Sequence, residues 1–348
     1  MSNKLLSVND TLVLKGMAII AIMIHNFVHR IPGSILENQH LFNPENHHRL
    51  MECIQSGGPH ILLNLFSYYG HYGVSVFVFL SGYGLVMKYE NTSEKVPLWA
   101  FMRKHIKKLW LLLLPLLLPH FLFLSVREPG YFQEHWLDLI CMVGFIENLR
   151  PDSYVFHGPW WFFSLIAQLY LVYHLCVYRH TLKTVALLTA VCVAGQFFAM
   201  RNNGSIEWLQ YIRFNFMGAM LPFIIGIVMA RKGMRPTKSL AFVALLFFII
   251  CGFNRYAWLM TFGLVTIAAL LLVRLARFNI SVYNWSKWTG SLSANLFAIH
   301  PIVRECTFWL HEHLLYISIL AYLTISVLCA FIYRIAINRY GQYLQSKR

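Results

Sequence analysis

Runs of apolar residues recur along almost the whole chain, separated by short clusters of polar and charged positions. A helix crossing a hydrocarbon core of about 30 Å needs roughly 20 residues at 1.5 Å each. On that measure ten spans are predicted, at about 12–29, 71–88, 109–126, 160–178, 184–200, 213–230, 239–253, 256–273, 289–310 and 315–334. The pattern predicts an all-α, polytopic integral membrane protein: about ten transmembrane helices in one bundle, forming a single domain over residues 1–348. The stretch 136–149 is apolar but short and carries Asp138 and Glu147. It reads as a re-entrant or interfacial piece within an extracytoplasmic segment 127–158. The first run follows a polar start with no small-residue cleavage site behind it, so it is expected to be a retained span.

The polar positions inside the first run organise the reading. Lys15 stands at its entrance, and His25 follows ten residues later, about 15 Å along the helix axis and thus near mid-membrane. His29 comes at i+4, on the same face. A polar group at that depth needs a cavity or a partner. His25 is therefore either a functional group or a histidine satisfied by a neighbouring helix.

Composition narrows the class. Apolar residues make up 58% of the chain and charged residues 12%, about half the charged share of a soluble domain. The net charge of +15 would suggest nucleic acid in a soluble protein, but its distribution points elsewhere. Threaded through ten crossings, 21 of the 29 Lys and Arg residues fall on the side of the termini, while 11 of the 14 acidic residues fall on the other. Both termini are accordingly predicted to be cytoplasmic. The seven cysteines show neither CxxC nor Cys/His zinc spacing, and no metal is expected.

Two loops exceed plain connectors. The outer loop 30–70 holds His40, His47, His48 and His60, whose spacings match no standard metal site, so it reads as a polar loop over a membrane cavity. The inner loop 88–108 ends in Arg103, Lys104, Lys107 and Lys108, directly before a span. Such a cluster either anchors to anionic lipid or holds the phosphates of a nucleotide ligand; position alone favours lipid.

Four segments together resemble the membrane-bound acyltransferase-3 family of bacterial integral-membrane O-acyltransferases. The first helix is similar to that family's signature of a basic residue, glycine, an apolar run and histidine. Gly73-Val74-Ser75-Val76-Phe77-Val78-Phe79-Leu80-Ser81-Gly82-Tyr83 resembles its second-helix motif. His157-Gly158-Pro159-Trp160-Trp161-Phe162 through Gln168-Leu169-Tyr170 resembles its Trp-rich helix start, and Ser291 through His300-Pro301 its late Ser/Tyr/His/Pro block. The departures are specific. Lys15 stands in place of arginine and precedes His25 by one residue fewer, so strict spacing picks Asn26. The family's Arg-x-x-Arg falls on Lys104 and Lys107, and an acidic position falls on Gln168.

The resemblance implies transfer of an acyl group, most often acetyl, from cytoplasmic acetyl-CoA or another acyl-CoA to a hydroxyl on an envelope or exported polysaccharide or its lipid-linked precursor, in the bacterial inner membrane. His25 would be the general base, with His29 in reserve and His300 assisting; histidine suits the task because it titrates near neutrality. An acyl-histidine relay is the alternative. Arg103, Lys104, Lys107 and Lys108, with Lys15, would hold coenzyme A phosphates; Trp160, Trp161 and Asn26 would meet the acceptor. Against these roles, Trp160 and Trp161 also read as interfacial anchors, and His300 as a group satisfying backbone freed by Pro301. The competing class is a transporter without covalent chemistry, disfavoured by the lack of internal repeats and of intramembrane carboxylate pairs.

Overall fold

Helices form wherever the apolar runs predict them. The computed structural model describes residues 6–58, 60–150, 156–201, 206–312 and 314–346, with no strand among them. Residues 151–155 of the predicted re-entrant segment, and Lys4, Lys347 and Arg348 of the charge count, lie outside the described residues. Seven of the described helices are long and apolar enough to cross a membrane: Val8–Val28, Ile61–Tyr89, Leu98–Arg127, Gly158–Val177, Leu182–Arg201, Trp258–Ala276 and Leu315–Tyr340. An eighth is added if Trp208–Phe214 and Phe216–Lys232, bent by 42°, form one broken span.

The other two predicted spans are helical but fall short for physical reasons. Lys238–Gly252 has 15 residues, about 22 Å of helix. Ile280–Thr307 is 28 residues long, but Ser281, Asn284, Lys287, Ser291 and Asn295 interrupt its apolar character. The chain is thus a multi-pass helical membrane protein with seven or eight qualifying spans rather than an established ten. The 14-residue helix Tyr131–Gly144 is too short to cross. Where the sequence suggests a single domain, the residues cluster into two units, Met1–Val96 with Val172–Ser291 and Pro97–Leu171 with Leu292–Arg348.

The first unit is built on the helix Val8–Val28. Ser7 and Asp10 close a reciprocal capping box at its start, satisfying two of the N–H groups a helix end leaves free. A Cβ on Gly16 would collide with the Ser286 carbonyl oxygen, and one on Gly290 with that of Leu12. Small residues at both points let the two backbones touch, the usual means of close helix packing in lipid. Two ion pairs fix the same unit. Arg231 clamps Glu90 with two bonds of 2.7 and 2.8 Å, and Tyr173 donates to the same carboxylate. Arg277 reaches both oxygens of Asp10 at 2.8 Å.

The long loop of this unit is ordered. Asn43 caps the helix Pro44–Ser56, which ends at Gly57 with φ 64°, and Ile61–Tyr69 follows. The loop histidines pack on rings: His40 stacks on Phe214 at 3.8 Å, and His47 meets Phe253 edge-on at 3.8 Å. Burial pushes both imidazoles below their ordinary pKa, His40 well below, with Arg213 adding to its shift.

In the second unit, the helix Leu98–Arg127 buries Phe101, His105, Leu109, Leu113, Leu117 and Phe121, a strict i+4 stripe. Arg103, Lys104, Lys107 and Lys108 all lie on its exposed side. The Tyr333 hydroxyl donates to the Leu112 carbonyl at 2.9 Å, tying the helix Leu315–Ser346 to it.

Candidate functional site

His25 occupies the last turn of the first helix and is 4% exposed. Its Nδ1 lies 2.8 Å from the Ser67 carbonyl oxygen. A carbonyl only accepts, so Nδ1 carries the proton and Nε2 is left with the lone pair, the form a general base requires. Ser67 is itself held, because its hydroxyl donates to the Ile35 carbonyl at 2.6 Å. The ring of His29 stacks on that of His25 with centroids 4.8 Å apart, and its Nδ1 donates to the His25 carbonyl. Asn26 turns its amide back to the Ile22 carbonyl of its own helix at 3.0 Å. Lys15 lies half-buried on the same helix.

Sequence reading passes over a third imidazole here. His71 sits on the tight turn Gly70–Tyr72, is 2% exposed, and meets His25 edge-on at 5.8 Å. Neither of its ring nitrogens makes a hydrogen bond among the described residues, although the Tyr68 backbone lies within electrostatic reach. Only glycine at position 70 lets this turn lie against the helix, since a Cβ there would fall 2.6 Å from the His25 Cβ. The Gly-His-Tyr-Gly run of 70–73 carries that signal, hidden at the start of an apolar segment.

Arg213 is the second group missed, and it belongs to the same unit. It is 6% exposed, at the bend between Trp208–Phe214 and Phe216–Lys232. Its Nε and Nη2 donate to the Gln39 carbonyl at 3.1 and 2.9 Å, and its Nη1 to Gln196 Oε1 at 2.9 Å. The guanidinium lies over Phe262 at 3.9 Å and Trp258 at 4.7 Å. A charged residue inside an apolar stretch was the available clue.

The remaining candidates lie in the second unit. His300 is fully buried, with Nδ1 2.9 Å from the Leu296 carbonyl of its own helix. Trp160 is also fully buried and donates its indole N–H to the Ala298 carbonyl at 2.9 Å, so it packs inside the unit. Trp161 is half-buried. The four exposed cations of the Leu98–Arg127 helix form one face that can meet phosphate. This unit also holds a histidine–carboxylate pair. His157 Nδ1 donates to Glu305 Oε1 at 2.9 Å, its ring lies 4.4 Å from that of His120, and its Nε2 is buried without a hydrogen-bond partner.

Glu147, outside the qualifying spans, is buried, and burial lifts its carboxyl to about 7. The Ser164 hydroxyl is close enough to oppose that shift, although neither group completes a hydrogen bond. Among the described residues no three His, Cys, Asp or Glu side chains gather as a metal site, and all seven cysteines are free.

Residues 12–335 match the acyltransferase-3 family, described as an acyltransferase domain. No curated protein and no solved structure matches the chain.

Proposed function

The chain belongs to the acyltransferase-3 family, and on that premise we propose that it moves an acyl group, acetyl first, from acyl-CoA to a hydroxyl of an envelope or exported polysaccharide or its lipid-linked precursor. Membership makes it a membrane acyltransferase; the donor, the acceptor and the residue roles are our reading. The observation that carries this reading is the bond between His25 Nδ1 and the Ser67 carbonyl, which leaves Nε2 as the basic nitrogen.

In the proposed step, Nε2 takes the proton of the acceptor hydroxyl while the hydroxyl oxygen bonds to the thioester carbonyl carbon. Collapse of the tetrahedral adduct breaks the C–S bond, and the leaving thiolate takes the proton back from His25. A positioned base of this kind contributes about 10²–10⁴-fold. His29, stacked on His25, is the reserve base, and Asn26 is the adjacent polar group for the acceptor. Lys15, Arg103, Lys104, Lys107 and Lys108 are assigned to the coenzyme A phosphates; lysine supplies charge there without the bidentate fork of arginine. Trp161, half-buried, is the better placed of the two tryptophans for an acceptor sugar. His300, wrapped by its own helix, is assigned a supporting role. Counted over ten crossings, the Lys/Arg asymmetry favours both termini cytoplasmic, and the bacterial inner-membrane setting is carried over from the family resemblance.

The test uses purified protein in vesicles with labelled acetyl-CoA and crude envelope glycan. Label is expected in glycan with wild type and not with His25→Ala, with both proteins folded. Equal label from both would remove His25 as the base. No label from either, across several donors and acceptors, would remove acyl transfer to glycan as the activity.

A further inference from the structure

The first unit holds a buried positive charge with no acidic partner among the described residues. Two arginines of the unit have acidic partners, Arg231 with Glu90 and Arg277 with Asp10. Arg213 has none among the described residues: its bonds go to one backbone carbonyl and one side-chain amide, and its faces to two aromatic rings. A guanidinium has five N–H donors, and only three of those of Arg213 are used. A charge buried without its counter-ion is costly, and inside a membrane protein such a residue marks a site by default. The setting fits, because Arg213 lies where a span is broken, and breaks of this kind expose backbone and side chains to ligands.

A second observation points the same way. His71 lies 6.2 Å from the Phe262 ring that Arg213 covers at 3.9 Å, and its two buried ring nitrogens complete no hydrogen bond among the described residues. Whatever its tautomer, one is an N–H donor, which the Tyr68 backbone approaches without completing a hydrogen bond. The region beside His25 thus offers one fixed positive charge and one neutral donor whose hydrogen bonding is incomplete.

We propose that Arg213 and His71 form a receptor for a carboxylate carried by the substrate of the His25 centre. A single guanidinium balances a single negative charge, and its planar fork matches a carboxylate better than a doubly charged phosphate. The carboxylate has two chemical sources: the far end of a dicarboxylic acyl group, such as succinyl, or a uronic acid in the acceptor glycan. The inference rests on reading His25 as the transfer centre, so its test includes a readout independent of turnover.

Equilibrium binding of labelled succinate and of labelled glucuronate to the purified protein is measured first, for wild type, Arg213→Gln, Arg213→Lys and His71→Phe, each checked by thermal unfolding. Wild type is expected to bind one of the two. Arg213→Gln should weaken that binding at least tenfold, His71→Phe should weaken it to a smaller degree, and Arg213→Lys should keep part of it. Initial transfer rates then compare succinyl-CoA with acetyl-CoA, and a glucuronate-containing oligosaccharide with a neutral glucose oligomer. The arm in which the charged-to-neutral rate ratio is large for wild type, and falls toward one in Arg213→Gln, identifies the source. Binding of neither acid by wild type overturns the proposal, as does an Arg213→Gln variant that binds like wild type. Should Arg213→Gln not fold, Arg213→Lys and His71→Phe decide: if both bind like wild type, the proposal falls. Failure of transfer in every arm with binding intact would count against the acyltransfer reading alone.

Discussion

Gly70→Ala should damage catalysis while leaving a folded, moderately destabilised protein. The backbone at Gly70 is in the right-handed helical region, φ −64° and ψ −25°, so alanine meets no conformational strain there. The obstacle is space. The new Cβ would lie 2.6 Å from the His25 Cβ and 2.7 Å from the Ala21 carbonyl oxygen, whereas ordinary contact begins at 3.4 Å. The turn and the helix must therefore part by about 0.8 Å, the difference between those distances. The Nδ1–Ser67 bond, 2.8 Å long, would stretch beyond hydrogen-bonding range if that motion fell on it. Displacement of a catalytic group by about 1 Å can cost on the order of 10²-fold in rate. Overpacking of this size costs about 1–3 kcal/mol.

The assay pairs initial rates of labelled acyl transfer with thermal unfolding in the same detergent. Gly84→Ala is the control, since no atom lies within 4 Å of a Cβ at that position, and alanine there should leave rate and stability near wild type. Gly70→Ala that is folded and transfers at the wild-type rate would refute both the role of His25 and the claim that Gly70 sets its position.

Three further outcomes are expected. Arg103→Ala combined with Lys104→Ala should raise KM for acyl-CoA by about tenfold with little change in kcat, the mark of lost phosphate binding; a change in kcat alone would exclude that role. Glu90→Ala should lower unfolding free energy by about 1.5–3 kcal/mol, because it takes the carboxylate partner from the half-buried Arg231; a loss below about 0.5 kcal/mol would show the pair to be dispensable. Glu147 has its carboxyl raised from 4.5 to about 7 by burial, so the folded state favours the protonated form. That stability is fully present below about pH 4.5 and is lost as pH rises toward 7, by on the order of 3 kcal/mol. Glu147→Gln should flatten the corresponding fall in melting temperature, and an unchanged slope would exclude Glu147 as its source.

How much of this was legible in the sequence depends on range. Helix positions were legible because apolar runs act locally, and the face shared by His25 and His29 follows from helical spacing alone. Likewise, the four cations 103, 104, 107 and 108 repeat at i+4 and emerge on one exposed face. Partnerships across the chain were not legible. His157 finds Glu305 from 148 residues away, and Arg213 finds Gln39 from 174. No period marks such pairs. The span count was only partly legible for a different reason: Ile280–Thr307 carries polar side chains both exposed, as Ser281, Asn284 and Ser291, and buried, as Ser286, Thr289 and Ser293, so its composition does not resemble that of a lipid-facing helix.

The loop read from sequence as a polar cover is bonded to His25, and how it is held bears on Arg213. The Ile35 carbonyl takes the Ser67 hydroxyl, whose backbone carbonyl takes His25. Trp258 donates to the Asn38 carbonyl at 2.7 Å, and Arg213 to the next carbonyl, Gln39. Pinning a carbonyl needs only an N–H, as Trp258 demonstrates one residue away, and such a bond is worth about 1 kcal/mol net. A buried guanidinium performs the same pinning at a desolvation cost of several kcal/mol. The loop's attachment therefore does not account for the charge. A neutral donor would serve it better, and what remains to be explained is a positive group beside the histidine cluster, which an anionic substrate group would answer.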